Sequence, residues 1–413
     1  MASVSNIVFY ILTFLSVYVQ VFFLITFLEN RKRIMVREGH IELSKYPKVT
    51  IIVPCWNEEK TVYKTVRSLL DLNYPKDKVN IFLIDDGSTD KTLDVISRFS
   101  KFSNVKVFHK ENGGKYTALN LGLEHLDTEF IGCLDADSMA DRESLVRIMS
   151  YFEKDQDTMA VSPSVLTINN NSFVQSAQKA DYDMSVYIKK MLGFLGAIHV
   201  TPGPLTIFRK KVFDDLGPYH HAHNTEDLEI AYRMQKNHYK IEQCNDAYVY
   251  TNTPKTIKKL YRQRSRWVYG FINNTIDYRK IIFKRRYGNF SLFTVPFNIL
   301  SILGVGFLFG KTIYTFVNSV FQKVLEIETM GFSFFSKVNF DSFFINTQAV
   351  SLMALVLILL TILSIIIGRK MSEGKWGFSF DIFFFLFIFG IVGPFWFLKA
   401  VYNTIISRKP AWR

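Results

Sequence analysis

Cysteine is scarce: 413 residues hold three, Cys55, Cys133 and Cys244, with no paired spacing. That excludes a disulfide framework. Cys55 and Cys133 sit in apolar runs and read as buried free thiols in a reducing compartment. No Gly-x-Gly-x-x-Gly follows the first strand-like run, so a dinucleotide site is not expected. The full Gly-x-x-x-x-Gly-Lys-Ser/Thr phosphate loop is also missing, and any phosphate must be held by other means. Met1 to Asn6 carry no basic residue, which argues against a cleaved signal peptide. No internal repeat or low-complexity tract is evident.

Phenylalanine and positive charge are abundant. Hydrophobic residues make up 48% of the chain, and its 39 Phe concentrate near the N-terminus and after Phe290, a pattern of membrane segments. Ile7 to Leu28 is an apolar run without charge, long enough to span a bilayer as a helix. Arg31, Lys32, Arg33 and Arg37 follow at once, which places the next segment in the cytoplasm by the positive-inside rule. Three more apolar runs, about Leu292 to Val317, Phe343 to Ile367 and Phe378 to Val401, are of spanning length. Four spans put Arg369 to Lys375 inside as expected, but Arg408, Lys409 and Arg413 outside, against the charge rule. Few charges interrupt the runs, so an ion pathway has little support. The net charge of +13 fits anionic lipid or phosphorylated substrates. Nucleic acid is not an expected partner, because the basic residues cluster beside membrane runs and no reader motif occurs.

Between them the chain alternates. Val49–Pro54, Val79–Ile84, Val105–Phe108 and Phe130–Leu134 read as strands, and Glu58–Leu70, Asp90–Phe99 and Lys115–Leu126 as helices. This implies α/β architecture, a parallel sheet with helices on both faces. Further on, Asp141–Lys154 and Ser172–Leu195 read as helical, Ala160–Leu166 as a strand, and Thr201 to Arg209 as a Pro- and Gly-shaped loop entering a strand. Thr225 is placed to cap a helix whose first turn holds Glu226 and Asp227. His220, His221 and His223 read as a solvated loop, since no zinc-ligand spacing accompanies them. Lys255 to Arg286 is basic with interleaved aromatics, an interface element on anionic lipid. The expected units are 1–30, a membrane helix; 31–254, a cytoplasmic domain; 255–289, the interface segment; and 290–413, a membrane region.

Polar clusters fall where each strand of the alternation ends: Trp56-Asn57-Glu58, Asp85-Asp86-Gly87-Ser88, Asn112-Gly113-Gly114-Lys115 and Asp135-Ala136-Asp137. Open α/β sheets bind ligands at that edge. Asp-x-Asp is common in loops, but four clusters at four corresponding ends point to one site. Carboxylates two apart at a strand end can face one way and share a hard cation, Mg²⁺ or Mn²⁺, with substrate phosphates.

The ordered set Asp85-Asp86-Gly-Ser, Asp135-Ala-Asp137, Thr225-Glu226-Asp227 and Gln263-Arg-Ser-Arg266-Trp267 resembles the membrane-embedded inverting family-2 glycosyltransferases, such as cellulose, chitin, hyaluronan and poly-N-acetylglucosamine synthases. The resemblance covers about Val49 to Trp267. It implies a GT-A-type, Rossmann-like mixed sheet and a UDP-sugar donor. Pro54, Trp56 and Glu58 would lie at the nucleotide base, with Trp56 where the family usually has Tyr. Asp86 would bind the uridine and Lys115 the nucleotide-sugar. Asp135 and Asp137 would hold metal and diphosphate, and Asp227 would be the catalytic base. Arg266 would clamp the diphosphate. Gln263, Trp267, Glu226, Gly203 and Pro204 would face the acceptor. The expected product is a β-linked polysaccharide, made at a cytoplasmic site from a UDP-sugar, with UDP-N-acetylglucosamine favoured, and exported across the cell membrane. Addition of one sugar to a membrane lipid is the alternative. Four spans leave room for an accessory membrane subunit or a second copy in the transport path.

Overall fold

The computed structural model describes residues 4–35, 39, 41–168, 171–330 and 349–408. Arg37, Lys409, Arg413 and the start of the 343–367 run lie outside the described residues. A long helix α1 (Val4–Met35) leads into the alternating region: β1 (Val49–Cys55), α2 (Val62–Leu70), β2 (Val79–Asp86), α3 (Thr92–Ser97), β3 (Val105–Lys110), α4 (Lys115–Glu124) and β4 (Phe130–Cys133). Then come β5 (Ser138–Ala140), α5 (Ser144–Lys154), β6 (Thr158–Thr167), α6 (Phe173–Phe194), β7 (Thr206–Arg209), α7 (Lys211–Leu216), α8 (Glu226–Lys236) and β8 (Lys240–Thr251). The chain closes with α9 (Ile257–Asp277), α10 (Val295–Met330), α11 (Ala349–Glu373) and α12 (Phe380–Ile405).

One eight-stranded sheet has the order β3-β2-β1-β4-β7-β6-β8-β5. The first four strands are parallel, as the alternation implies. Beyond β4 the sheet is mixed: β7 runs antiparallel to β4 and β6, while β8 is parallel to β6 and antiparallel to β5. The purely parallel reading therefore holds for the first half only, and the mixed sheet implied by the family resemblance describes the whole.

β1 is apolar but for Thr50, whose hydroxyl pairs with that of Thr128 at 2.8 Å, because both its faces are covered, as central parallel strands require. Val49, Ile51 and Val53 join one core with Val62, Val66 and Leu69 of α2. Ile52 points the other way, into a core shared with Leu119 of α4 and Ile230 of α8. Phe23 and Phe27 of α1 belong to that second core, and Phe27 meets Tyr187 of α6 edge-on. The first apolar helix is thus seated on the catalytic sheet rather than tethered beside it.

Among the described residues, four helical stretches are long and apolar enough to cross a membrane: Ile7–Ile34, Phe290–Leu325, Leu352–Glu373 and Phe380–Ile405. All three cysteines are buried and free.

Candidate active site

Every candidate site residue named from the sequence borders one cavity of about 1600 Å³. It opens at the carboxyl ends of β1, β2 and β4, where the strand ends leave their loops.

One end of the cavity is built by two loops. Asn57, at φ 55°, adopts the left-handed conformation that Asn tolerates. Its amide N–H donates to Ser88 Oγ at 3.0 Å, and its Oδ1 accepts from Thr89 N–H at 2.8 Å. Glu58 N–H donates to Thr92 Oγ1 at 2.7 Å. The Trp56–Glu58 loop is thus fastened to the loop after β2. Asp86 is the last residue of β2, not part of a following turn, and it is 3% exposed. Its carboxylate accepts from the N–H groups of Gly113 (3.0 Å) and Gly114 (2.9 Å) and from Lys110 Nζ (2.7 Å). Asp86 borders the cavity, but these bonds make it the organiser of the loop that presents Lys115.

Asp135 and Asp137 lie in a turn between β4 and β5, closed by Ser138 N–H donating to the Asp135 carbonyl at 2.9 Å. Strand alternation is therefore not what brings them together; the turn is. Lys115 Nζ sits 2.6 Å from Asp135 Oδ1 and 3.2 Å from Glu226 Oε1. Burial pulls the Lys115 pKa down, but Asp135 and Glu226 outweigh it and hold the ammonium well above its ordinary value. Gly203 allows this pairing. A β-carbon there would lie 2.7 Å from Lys115 Nζ and 2.9 Å from Asp135 Oδ1.

Asp227 opens α8. Burial and the neighbouring Glu226 push its carboxyl up to about 6, against the pull of Lys115 and Arg266. Its carbonyl accepts from Thr201 N–H at 3.1 Å and Thr201 Oγ1 at 2.8 Å, tying Asp227 to the 201–205 loop. Thr225 occupies the N-cap position, but its hydroxyl does not cap. It donates to the Ala222 carbonyl and accepts from Asn274 of α9. Arg266 lies in a half-buried setting; burial lowers its pKa, while Glu226, Asp227 and Asp135 oppose the shift. One of its N–H groups donates to the Asn224 carbonyl at 2.8 Å.

The histidine loop is open to solvent at His220 and His221, with His223 half-buried. His221 borders the cavity and meets Tyr116 edge-on, and His223 pairs with Asp277 at 2.8 Å. Asp181, Ser185 and Lys189 also line the cavity and were not singled out from the sequence. Their spacing of four on α6 puts them on one helix face, which is the signal that was available.

The cavity thus gathers a carboxyl pushed up to about 6 at Asp227, the cations Lys115 and Arg266, and the carboxylates Asp135 and Asp137. Residues 50–217 match Glycosyl transferase family 2. These residues form a family-2 glycosyltransferase domain. The chain is 32% identical over 224 residues to a poly-beta-1,6-N-acetyl-D-glucosamine synthase of Staphylococcus epidermidis, a match covering 54% of each chain. It is 28% identical over 272 residues to the synthase of the same description from Staphylococcus aureus (strain COL), covering 65% of each. The chain spans little more than half the length of the first of these relatives. A mannosyltransferase from Pyrobaculum calidifontis, solved with GDP-Man and Mn²⁺, superposes with a TM-score of 0.61 over 97% of this chain and 99% of its own, at 14% identity. That likeness is one of fold, and it takes in the apolar helices as well as the family-2 domain. With four helices of spanning length, the chain is a membrane protein.

Proposed function

We propose that the chain is a processive inverting glycosyltransferase. It builds a β-linked N-acetylglucosamine polymer from UDP-N-acetylglucosamine on the cytoplasmic side and passes the product out among its own helices. The observation that carries this reading is continuity. The cavity that holds Asp135, Asp137, Asp227 and Arg266 is also walled by Asn298 and Ser301 of α10 and Phe397 of α12. An acceptor bound against the base would therefore already lie among membrane helices. The staphylococcal relatives, described as synthases of an N-acetylglucosamine polymer, support the choice of sugar.

Asp135 and Asp137 fit a divalent cation, Mg²⁺ or Mn²⁺, that arrives with the donor. Such ions take one or two carboxylates and fill the remaining positions from substrate phosphates and water. Among the described residues no group of three or more His, Cys, Asp or Glu could hold an ion alone, which is consistent with that shared coordination. When bound, the ion neutralises charge on the diphosphate.

The chain's own residues do the rest. Trp56 offers a face to the nucleotide base. Asp227 accepts the proton of the acceptor hydroxyl as that oxygen bonds to the anomeric carbon. The bond from that carbon to the β-phosphate oxygen breaks on the opposite side, the configuration inverts, and UDP leaves with the bonding pair. Arg266 and Lys115 provide positive charge where the diphosphate develops it.

The test supplies membranes containing the chain with UDP-N-acetylglucosamine, UDP-glucose and UDP-glucuronate, plus Mg²⁺ or Mn²⁺. Polymer from the first donor is expected. A single added sugar that partitions with lipid would replace polymerisation by lipid glycosylation. No consumption of any donor would end both readings.

A further inference from the structure

Arg264 stands inside the Gln263–Trp267 segment without an assigned part. It is mostly buried, and its guanidinium meets three partners. Nη2 donates to Asp181 Oδ2 of α6 at 2.5 Å. Its central carbon lies 4.5 Å from the ring centre of Trp267 and 5.2 Å from that of Phe389 on α12. A flat delocalised cation suits aromatic faces in a way that an ammonium does not.

Both anchors beyond Arg264 belong to rigid surroundings. Phe389 packs against Phe385 at 4.7 Å and Trp396 at 5.3 Å, all on α12. Two residues past Asp181, Asp183 is held by Arg369 Nε of α11 at 3.0 Å, and Arg369 also pairs with Asp381 at the start of α12. The backbones approach closely there, since a β-carbon at Gly368 would collide with the Asp183 carbonyl.

We infer that Arg264 is a positioning residue that braces the Trp267 ring between α6 and the membrane helix α12. The acceptor platform is then set by how the membrane helices seat on the catalytic domain, not by the catalytic domain alone. This rests on the reading of Trp267 as the acceptor-facing aromatic.

Arg264→Met removes the charge and the planar contact but keeps much of the bulk. Arg264→Lys keeps the pair with Asp181 and loses the stacking geometry. Phe389→Leu alters the far side of the brace at a residue that does not border the cavity. Lys258→Met, exposed on α9, serves as control. Each is reconstituted full-length, and transfer to an N-acetylglucosamine oligosaccharide is measured beside UDP affinity.

A displaced positioning group can cost about 10²-fold in turnover efficiency. Arg264→Met is expected to raise the acceptor KM at least about tenfold while UDP affinity stays within about twofold. Phe389→Leu should move the acceptor KM the same way, Arg264→Lys should fall between Arg264→Met and wild type, and Lys258→Met should match wild type. Folded Arg264→Met or Phe389→Leu with a wild-type acceptor KM overturns the inference, as does a parallel loss of UDP affinity. If Arg264→Met does not fold, Phe389→Leu decides alone. A wild-type chain that consumes no donor removes the underlying functional reading; an active wild type with indifferent variants removes the brace only.

Discussion

A base for an alcohol must be ionised at working pH yet hold a proton well once it has it. An ordinary aspartate meets the first need and not the second. Asp227, pushed to about 6 by burial and Glu226, comes nearer to both. The sign of the pH effect follows. Lowering pH through about 6 protonates the base, so kcat/KM should fall by about tenfold per pH unit below that point and level off above it. A rate profile flat from pH 5 to 8 would remove Asp227 from the base role. Asp227→Asn should lower kcat by about 10²–10⁴-fold with UDP binding kept, checked by turnover and by calorimetry with UDP. Gly203→Ala makes a second expectation. Its new methyl would press on the Lys115–Asp135 pair, so donor turnover should fall by about tenfold or more while the fold, read by circular dichroism, stays intact. The acids themselves were legible in the sequence, because polar clusters at strand ends stand out against apolar strands. What Asp86 holds was not. Its partners, the amides of Gly113 and Gly114, come from a loop that only the parallel register of β2 with β3 brings alongside.

Among the elements, α6 joins the catalytic domain to the membrane region. Asp183, 1% exposed, takes Arg369 Nε at 3.0 Å and Lys179 Nζ at 3.3 Å, and Lys179 reaches Glu373 at 2.5 Å. Ser379 Oγ completes the cage by accepting from Arg369 at 2.8 Å. Removing one member leaves a buried charge without its partner, which costs about 3–5 kcal/mol in comparable sites. Arg369→Met should therefore lower stability by about that amount, measured as a fall in melting temperature in detergent. The double change Arg369→Met with Asp183→Leu should recover part of it, because one of the two buried carboxylates that Arg369 pairs is gone while Asp381 remains. The alternating half of the sheet could be read from pattern because β1, β2 and β4 are mostly apolar and buried on both faces, and the edge strand β3 still places Val105, Val107 and Phe108 in a short run. In the other half β6 and β7 could be read, from Ala160–Leu166 and from the Thr201 to Arg209 loop entering a strand, but β5 and β8 could not. β8 carries Lys240, Glu242, Gln243, Asn245 and Asp246 within a buried strand, and Gln243 is satisfied by the Pro163 carbonyl at 2.9 Å. A strand whose polar groups are paired by tertiary contacts shows no hydrophobic period.

At the scale of the whole molecule the same cage carries a statement about sidedness. The turn between α11 and α12 is bound to α6, so the two lie on one side of whatever bilayer α11 and α12 cross. Arg31, Lys32 and Arg33 end α1 on the domain side as well, and by the positive-inside rule they support the proposal that this side is the cytoplasm. The three native cysteines are buried, so they give little background to a thiol reagent, and single exposed cysteines can report on each side. Lys101→Cys marks the catalytic domain, Lys375→Cys the turn between α11 and α12, and Ser5→Cys the N-terminal end of α1; all three positions are exposed. With a membrane-impermeant maleimide, intact cells should label Ser5→Cys only, and permeabilised cells all three. Labelling of Lys375→Cys in intact cells, with Lys101→Cys still protected, would separate the turn from the domain that Arg369 and Asp183 join. Labelling of Lys101→Cys in intact cells would invert the orientation. A cytoplasmic nucleotide-sugar could not then reach the Asp135–Asp227 cavity from its own side.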